Sequence, residues 1–419
     1  DTSSHNNARS HRAHAWPNLL ARLAGGALLV LFATGCPAQT PAQTVVSAAP
    51  PGQLAVDATR QIETYAEVVY RSYLEAYEAS LRVQDAVNAL IANPDEASLA
   101  EARQAWLAAR PSYGQTEAFR FYGGPIDAGK QDDLSFAPPG IEGLLNAWPL
   151  NEAYIDYVRG NPDAGIINDG RTPITRELLV RKNAQDDETD VTTGYHAIEF
   201  LLWGQDLDAQ GPGNRGVEDF VGDGRAERRR TYLKVATNLL VDNLKTLADA
   251  WAPDRRNYRA LTQRMNSATV VRNILTGIAT LSGFEMASER LATALDSGSP
   301  EDEQSCFSDS THVDILANAV GIENVYFGRY GGWQGAGINE LVEAANPDLN
   351  RYLEQHIRET VGLASRLDRP FDETLATPPG SERRARVEAL VKSLQVQADL
   401  LKQASSALGV PIVIGGDNT

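Results

Sequence analysis

Long segments with apolar side chains at helical spacing constrain this chain more than any other feature of its sequence. Tyr65, Val69 and Tyr73 follow one another at intervals of four residues, which places them on one face of a helix. Residues 387–401 repeat the pattern near the other end of the chain, and strand-like alternation is hinted at only in residues 410–414. We therefore predict an all-α fold.

Turn signals give the approximate bounds of the helices. Asn93-Pro94-Asp95-Glu96 is typical of one helix ending and another starting. Pro111 is expected to kink or break the second helix, because proline lacks the N–H that the helix needs. Further helices are predicted at residues 192–203, 225–251, 258–295, 308–330, 347–367 and 381–408.

At 419 residues the chain exceeds the size that one hydrophobic core usually serves. We predict two tandem helical bundles, residues 56–215 and 216–419, divided near the glycine- and aspartate-rich segment 206–224. Phe121-Tyr122-Gly123-Gly124 resembles Arg329-Tyr330-Gly331-Gly332. An internal duplication explains that likeness, and chance explains it equally well.

The N-terminal segment has the pattern of an export signal. Scattered arginines precede an apolar stretch at residues 23–32, which ends in small residues before Cys36. The pattern resembles a bacterial lipobox, so we predict a signal peptide at 1–35, a lipid on Cys36 and a flexible tether at 36–55. An ordinary signal peptide cut near Ala38 is the alternative. Either interpretation predicts a periplasmic or cell-surface protein.

The net charge of −17 argues against nucleic-acid binding, which needs a basic surface. We expect contact with a membrane only through the N-terminal lipid anchor. The chain has two cysteines, and Cys306 would be alone once Cys36 is lipidated. A disulfide scaffold is thereby excluded, so packing must stabilise the fold.

The segment Gly194–Trp203 is the most informative for function. His196 and Glu199 are three residues apart, so they share a face of a helix that is otherwise apolar nearly all round. A buried imidazole and carboxylate must be paired, hydrogen-bonded or bound to metal. This spacing recurs in the metal sites of helical bundles, and the ligand types suit iron or zinc. A His–Glu hydrogen bond that orders the core is the alternative.

Two other places offer carboxylate or imidazole groups at the same spacing. Asp309 and His312 could present a second metal-binding face, although Asp309 also fits the N-cap of a helix. Glu117 could complete a metal shell, or it could form an ion pair with Arg120.

Several of these segments together resemble the imelysin family, and within it the branch called iron-regulated protein A. The likeness spans roughly residues 55–410. Gly194-x-His196-x-x-Glu199 is the signature of the family. The other matching blocks are Ala105-Trp106, Gln115–Phe121, Gly124–Asp127, Glu142-Gly143, Asn146–Leu150 and Glu301–His312.

The resemblance implies two helical bundles with a site between them that contains the His-x-x-Glu pair. It also implies a role in iron uptake or iron homeostasis. His196 and Glu199 would then be metal ligands, and Glu117, Asp309 and His312 would close the shell. The expected cofactor is a metal ion, iron before zinc, and the expected partners are a metal ion or iron chelate and other iron-uptake proteins.

Two rival hypotheses remain open at this point. In one, the protein is a metallopeptidase that uses the His196/Glu199 site, since the family is classed with metallopeptidases. In the other, it is a periplasmic interaction module in which the His–Glu pair is only structural.

Overall fold

A computed structural model describes residue 54 and residues 57–127, 140–207 and 211–414. The regular secondary structure of this part of the chain is helical apart from one small hairpin, β1 (Arg329–Tyr330) and β2 (Trp333–Gln334), and an isolated β-bridge between Val158 and Asn161. The predicted all-α fold is confirmed. The α-helices are α1 (Thr59–Ala92), α2 (Glu96–Thr116), α3 (Glu152–Ile155), α4 (Gly165–Asn168), α5 (Arg176–Lys182), α6 (Gly194–Trp203), α7 (Arg225–Trp251), α8 (Tyr258–Thr262), α9 (Ser267–Thr280), α10 (Thr293–Ser297), α11 (Thr311–Phe327), α12 (Ile338–Ala345), α13 (Pro347–Ala364), α14 (Phe371–Leu375) and α15 (Glu382–Ala407).

The junction between α1 and α2 follows from its sequence. Asp95 caps α2 by accepting a hydrogen bond from the Ser98 N–H, and the Ser98 hydroxyl accepts one from the Asp95 N–H. This capping box satisfies two N–H groups that a helix start leaves open. Pro111 lies inside α2, which continues through it to Thr116.

The helices that carry the candidate site pack around α2. α1 packs along α2 and α7, α11 packs along α2, and α6 packs on both α2 and α7. Two glycines let α2 and α11 approach closely. A Cβ atom on Gly114 would lie 2.7 Å from the Ala317 Cβ, and one on Gly321 would lie 2.4 Å from the Gln115 carbonyl oxygen. Among the other helices, α15 packs along both α9 and α13.

One predicted helix is interrupted. The segment 258–295 was expected to be continuous, but it comprises α8, α9, a π-helix at Leu281–Ala292 and α10. Asn257 and Asn266 each cap a new helix start within it. The hint of a strand at residues 410–414 is wrong, since residues 410–414 have no strand pairing.

Residues Val46–Thr419 group as one unit by their contacts. The predicted division between residues 215 and 216 and the internal duplication stay predictions. The predicted signal peptide, the lipidation site Cys36 and all of the tether but residue 54 lie outside the described residues. No helix in the described part of the chain is long and apolar enough to cross a membrane.

Candidate functional site

The start of α6 is fixed by backbone contacts. Gly194 has φ +85°, a conformation that side chains with a Cβ rarely adopt, and a Cβ there would lie 2.5 Å from the Leu145 carbonyl oxygen. That same oxygen accepts a hydrogen bond of 2.8 Å from the Tyr195 N–H. The Trp106 indole donates to the Tyr195 carbonyl at 3.0 Å. Glycine at this position therefore lets α6 begin in contact with residue 145 and α2.

His196 and Glu199 form a buried hydrogen-bonded pair on α6. The distance from His196 Nδ1 to Glu199 Oε2 is 2.8 Å, and the two residues are 1% and 0% exposed. Glu199 Oε1 accepts hydrogen bonds from the Ser308 backbone N–H at 2.9 Å and from the Ser308 hydroxyl at 2.6 Å. Both carboxyl oxygens are therefore engaged, and the imidazole presents only Nε2 to other groups.

Burial moves the pKa values of this pair in opposite directions. Burial, with a contribution from the positive charge of Arg110, lowers the pKa of His196 to about 3. Burial raises the pKa of Glu199 to about 8, although the hydrogen bonds from Ser308 oppose the rise. At neutral pH the His196 imidazole is neutral and the Glu199 carboxyl is protonated, because the charged form of each group is poorly solvated here. The pair therefore holds one proton more than a neutral imidazole beside an ionised carboxylate.

A buried ion pair lies beside this histidine. Arg110 of α2 donates from Nε and Nη2 to Asp314 Oδ1 of α11 at 2.9 and 2.7 Å, and both side chains are 1% exposed. Arg110 also donates to Asn146 Oδ1 at 2.8 Å and stacks over the Tyr195 ring, 4.9 Å from its centroid. The Ser305 hydroxyl donates to the other oxygen of Asp314. The charges of Arg110 and Asp314 both act on His196.

Several buried polar atoms around these residues have no hydrogen-bond partner among the described residues. They are His196 Nε2, the hydroxyls of Tyr113 and Tyr195, and Asn146 Nδ2. The Tyr113 and Tyr195 rings lie 4.8 Å apart. A buried polar atom without a partner costs roughly 1–3 kcal/mol, so such atoms usually bind water or a ligand. Buried polar atoms of this kind are typical of a place that receives a polar ligand.

Glu117 belongs to a neighbouring ion-pair network. Its Oε2 accepts from Arg290 Nη2 at 2.6 Å and from Arg120 Nη1 at 3.0 Å. Burial opposes ionisation, but the positive charges of Arg120 and Arg290 hold the pKa of Glu117 well below its usual range. Its Oε1 has no hydrogen-bond partner among the described residues, and its charge also acts on His196.

Asp309 and His312 follow Ser308 in the chain. Asp309 is in the loop before α11, and its carboxylate oxygen lies within 4.8 Å of carboxylate oxygens of Asp206 and Asp372. His312 is half-buried in the first turn of α11, where burial and the charge of Arg369 lower its pKa.

The five predicted ligands therefore do not converge on one point. In the described part of the chain, three carboxylate, imidazole or thiol groups come together only at Asp206, Asp309 and Asp372. The N-cap interpretation of Asp309 is wrong, because Ser310 occupies the N-cap position of α11 and makes no capping hydrogen bond.

Sequence reasoning missed three residues of the site. Ser308 holds Glu199 from 109 positions away, and Arg110 pairs with Asp314 from 204 positions away. No periodic pattern links such distant positions. The sequence did contain one indication of this ion pair. Arg110 occupies a position of α2 that is otherwise apolar, and a buried arginine requires an acidic partner.

Comparison with known proteins shows the family of the chain. The family model described as Imelysin, peptidase family M75, matches residues 69–401. The chain belongs to the imelysin family. It is 24% identical over 324 residues to the protein named Iron-regulated protein A of Synechococcus elongatus, covering 75% of this chain and 77% of the relative.

A solved structure has the same fold. The crystal structure of a candidate iron-regulated protein A precursor from Parabacteroides distasonis superimposes with a TM-score of 0.64 at 20% identity. The match covers 85% of this chain and 97% of the other. The resemblance to the imelysin family is thus confirmed, along with its helical fold.

Proposed function

We propose that this imelysin family member is an exported, lipid-anchored protein that binds iron, and that His196 coordinates the metal through Nε2. The observation that carries the proposal is this buried, unpartnered nitrogen on a ring that the Glu199 carboxyl orients through Nδ1. Histidines that ligate metals commonly bond their other ring nitrogen to a carboxylate, which fixes the ring and raises its basicity. The name of the cyanobacterial relative, Iron-regulated protein A, supports iron as the metal.

The groups around His196 fit a metal that arrives with other ligands already attached. Imidazole nitrogen suits iron and zinc. Among the described residues no two further carboxylate, imidazole or thiol groups lie close enough to His196 to complete a shell of three protein ligands. The hydroxyls of Tyr113 and Tyr195 would instead hydrogen-bond to the ligands that the metal carries. A hydrated ion or a small iron chelate meets this requirement.

In this proposal Glu199 positions the imidazole, and Ser308 positions Glu199. The Glu199 carboxyl has no free oxygen, since Oε2 contacts His196 and Oε1 accepts two hydrogen bonds from Ser308. When bound, the metal supplies a positive charge beside the pair and so favours the ionised carboxylate.

The burial of the pair weighs against the metallopeptidase hypothesis. A metallopeptidase needs an open coordination position and a groove for an extended peptide. His196 and Glu199 are 1% and 0% exposed. The interaction-module hypothesis makes the pair purely structural, and it leaves Nε2 unsatisfied at a cost of roughly 1–3 kcal/mol. A ligand on Nε2 removes that cost.

The proposal extends to the location of the protein and its partners. The basic and apolar leader before Cys36 supports export and lipidation. We expect metabolic labelling with a radioactive fatty acid to mark the wild type and not the Cys36→Ser variant. Equal labelling of both would remove the anchor from the proposal. Attachment to a membrane would bring the iron site close to other iron-uptake proteins, which are the expected partners.

The test of the metal site is binding of Fe(II), Fe(III) and Zn(II) to the purified protein after treatment with a chelator. The His196→Ala/Glu199→Ala double variant is compared with His356→Ala. His356 is a matched control because its imidazole bonds to the Ser393 carbonyl oxygen on another part of the fold.

We expect the wild type and the His356→Ala variant to bind iron stoichiometrically, and the double variant to lose binding while its circular dichroism spectrum is unchanged. Negligible binding by all three proteins would contradict the proposal and favour the interaction module. A Glu199→Gln variant separates the two hypotheses further. The interaction module predicts lower stability with unchanged metal content, whereas the metal site predicts changed metal affinity.

A further inference from the structure

Three aspartates from separate parts of the chain meet outside the His196 site. Asp206 follows α6, Asp309 precedes α11, and Asp372 lies in α14. One carboxylate oxygen from each lies within 4.8 Å of the other two. Carboxylates at this distance repel one another, so the fold must offset that repulsion to keep them together.

A fourth carboxyl group lies near Asp309 and Asp372. Glu303 is 2% exposed, and neither of its oxygens makes a hydrogen bond of ordinary length and angle. Burial raises the pKa of Glu303 well above its usual range. The nearby Thr311 hydroxyl lowers it, and the negative charges of Asp372, Asp309 and, more weakly, Glu199 raise it further. Asp372 and Asp309 are thus the acidic groups that act most strongly on Glu303.

Glu303 is a buried carboxyl group whose oxygens make no ordinary hydrogen bond, and it lies near two of the three clustered aspartates. A cation would complete this arrangement. We propose that Asp206, Asp309 and Asp372 bind a hard divalent cation of the calcium class, with Glu303 as a further oxygen ligand. The site has oxygen donors only, which Ca²⁺ prefers. It is separate from the Nε2 of His196 and does not depend on iron binding there.

The number of carboxyl groups favours calcium over magnesium. Calcium takes about six to eight oxygen ligands, many of them from protein carboxyl groups. Magnesium keeps several of its waters and is usually bound by about one or two carboxylates. A site with three aspartates and a nearby glutamate therefore suits calcium better.

The cation would also order the segment that holds Glu199. Asp309 is next in sequence to Ser308, whose backbone N–H and hydroxyl both donate to Glu199 Oε1. The Ser308 hydroxyl in turn contacts the Ser310 hydroxyl at 2.8 Å. Fixing Asp309 would therefore fix the donors that keep Glu199, and through it His196, in place.

The test is calcium binding to the chelator-treated full-length protein, measured by isothermal titration calorimetry and by the calcium-dependent rise in Tm. The variants are Asp309→Asn and Asp206→Asn, which keep the size of the side chain and remove its charge. Asp254→Asn is the matched control, because Asp254 is an exposed aspartate with φ +56°, the same value as Asp309. Both backbones are in the left-handed region, which asparagine tolerates.

We expect the wild type, Asp254→Asn and His196→Ala to bind one calcium ion and to gain Tm with it. Asp309→Asn and Asp206→Asn should bind calcium at least about tenfold more weakly and should lose the calcium-dependent rise in Tm. Two results would overturn the proposal: no calcium binding by the wild type, or unchanged binding by both aspartate variants. Loss of calcium binding in His196→Ala would also overturn it, because the two sites would then be one.

Should Asp309→Asn fail to fold, Asp206→Asn alone decides the matter, since Asp206 lies outside any helix. Iron binding is measured on the same variants. Calcium binding without iron binding would leave this inference intact while removing the iron proposal.

Discussion

Replacing Glu199 by glutamine should change how the stability of the protein depends on pH. Burial raises the pKa of this carboxyl from 4.5 to about 8 in the folded state. Between pH 6.5 and 8 the group is ionised in the unfolded chain and protonated in the folded protein, so the folded state binds more protons. Stability then falls as pH rises, by about 1.4 kcal/mol per pH unit, or about 2 kcal/mol over this interval.

The Glu199→Gln variant lacks this titration. We expect the wild type to lose about 2 kcal/mol relative to the variant between pH 6.5 and 8. The assay is urea unfolding followed by circular dichroism, with EDTA present at both pH values. A Glu63→Gln variant, which removes an exposed carboxylate from α1, controls for the loss of surface charge. A difference in stability between wild type and Glu199→Gln that is the same at both pH values would show that the pKa of Glu199 is not raised in the folded state.

The stability of the protein at acidic pH tests His196, the other residue of the pair. His196 has its pKa lowered from 6.5 to about 3, so its contribution to stability is present above pH 6.5 and lost as pH falls towards 3. Between pH 4.5 and 6.5 the wild-type pair holds one proton in both the folded and unfolded states, and its contribution should be flat. In Glu199→Gln the titration of His196 stands alone, so the stability of the variant should already fall below pH 6.5.

Three further predictions follow from the same region. Iron affinity should rise about tenfold per pH unit up to about pH 8, because metal binding must release the extra proton of the pair; calorimetry in buffers of different ionisation enthalpy measures that release. Arg110→Met should cost about 3–5 kcal/mol in urea unfolding, because it leaves the Asp314 charge buried and unpaired, and Arg110→Met/Asp314→Leu should recover most of it. Gly194→Ala should cost at least about 2 kcal/mol by the same assay, because its Cβ meets the Leu145 carbonyl oxygen. Unchanged unfolding midpoints in the Arg110 or Gly194 variants would contradict the contribution of that contact to stability. Iron affinity that does not depend on pH would contradict the release of a proton on metal binding.

Local sequence signals predicted the parts of this fold that local interactions determine. The bounds of α7 agree with the predicted helix at residues 225–251, and the capping box at Asp95 follows from the residues around it. The segment 258–295 was mispredicted as one helix, because apolar periodicity continues through breaks that Asn257 and Asn266 introduce by capping new helix starts. A side chain that caps a helix start can begin a new helix where the apolar periodicity would also allow the previous helix to continue. The periodicity alone does not show which of the two occurs.

Only the part of the site that lies on a single helix was predictable from the sequence. The spacing of His196 and Glu199 placed both side chains on one helix face, and the structure has them hydrogen-bonded there. The donors to Glu199 come from Ser308, which only the tertiary fold brings into contact. For the same reason no sequence pattern joined Asp206 and Asp372 to Asp309.

X-ray absorption spectroscopy at the iron edge shows whether His196 coordinates iron. If it does, scattering from an imidazole ring is expected in the iron-loaded wild type and in His356→Ala, and is absent in His196→Ala. An imidazole signal that persists in His196→Ala and disappears in His312→Ala would rule out His196 as the ligand, and so would a wild-type spectrum without imidazole scattering.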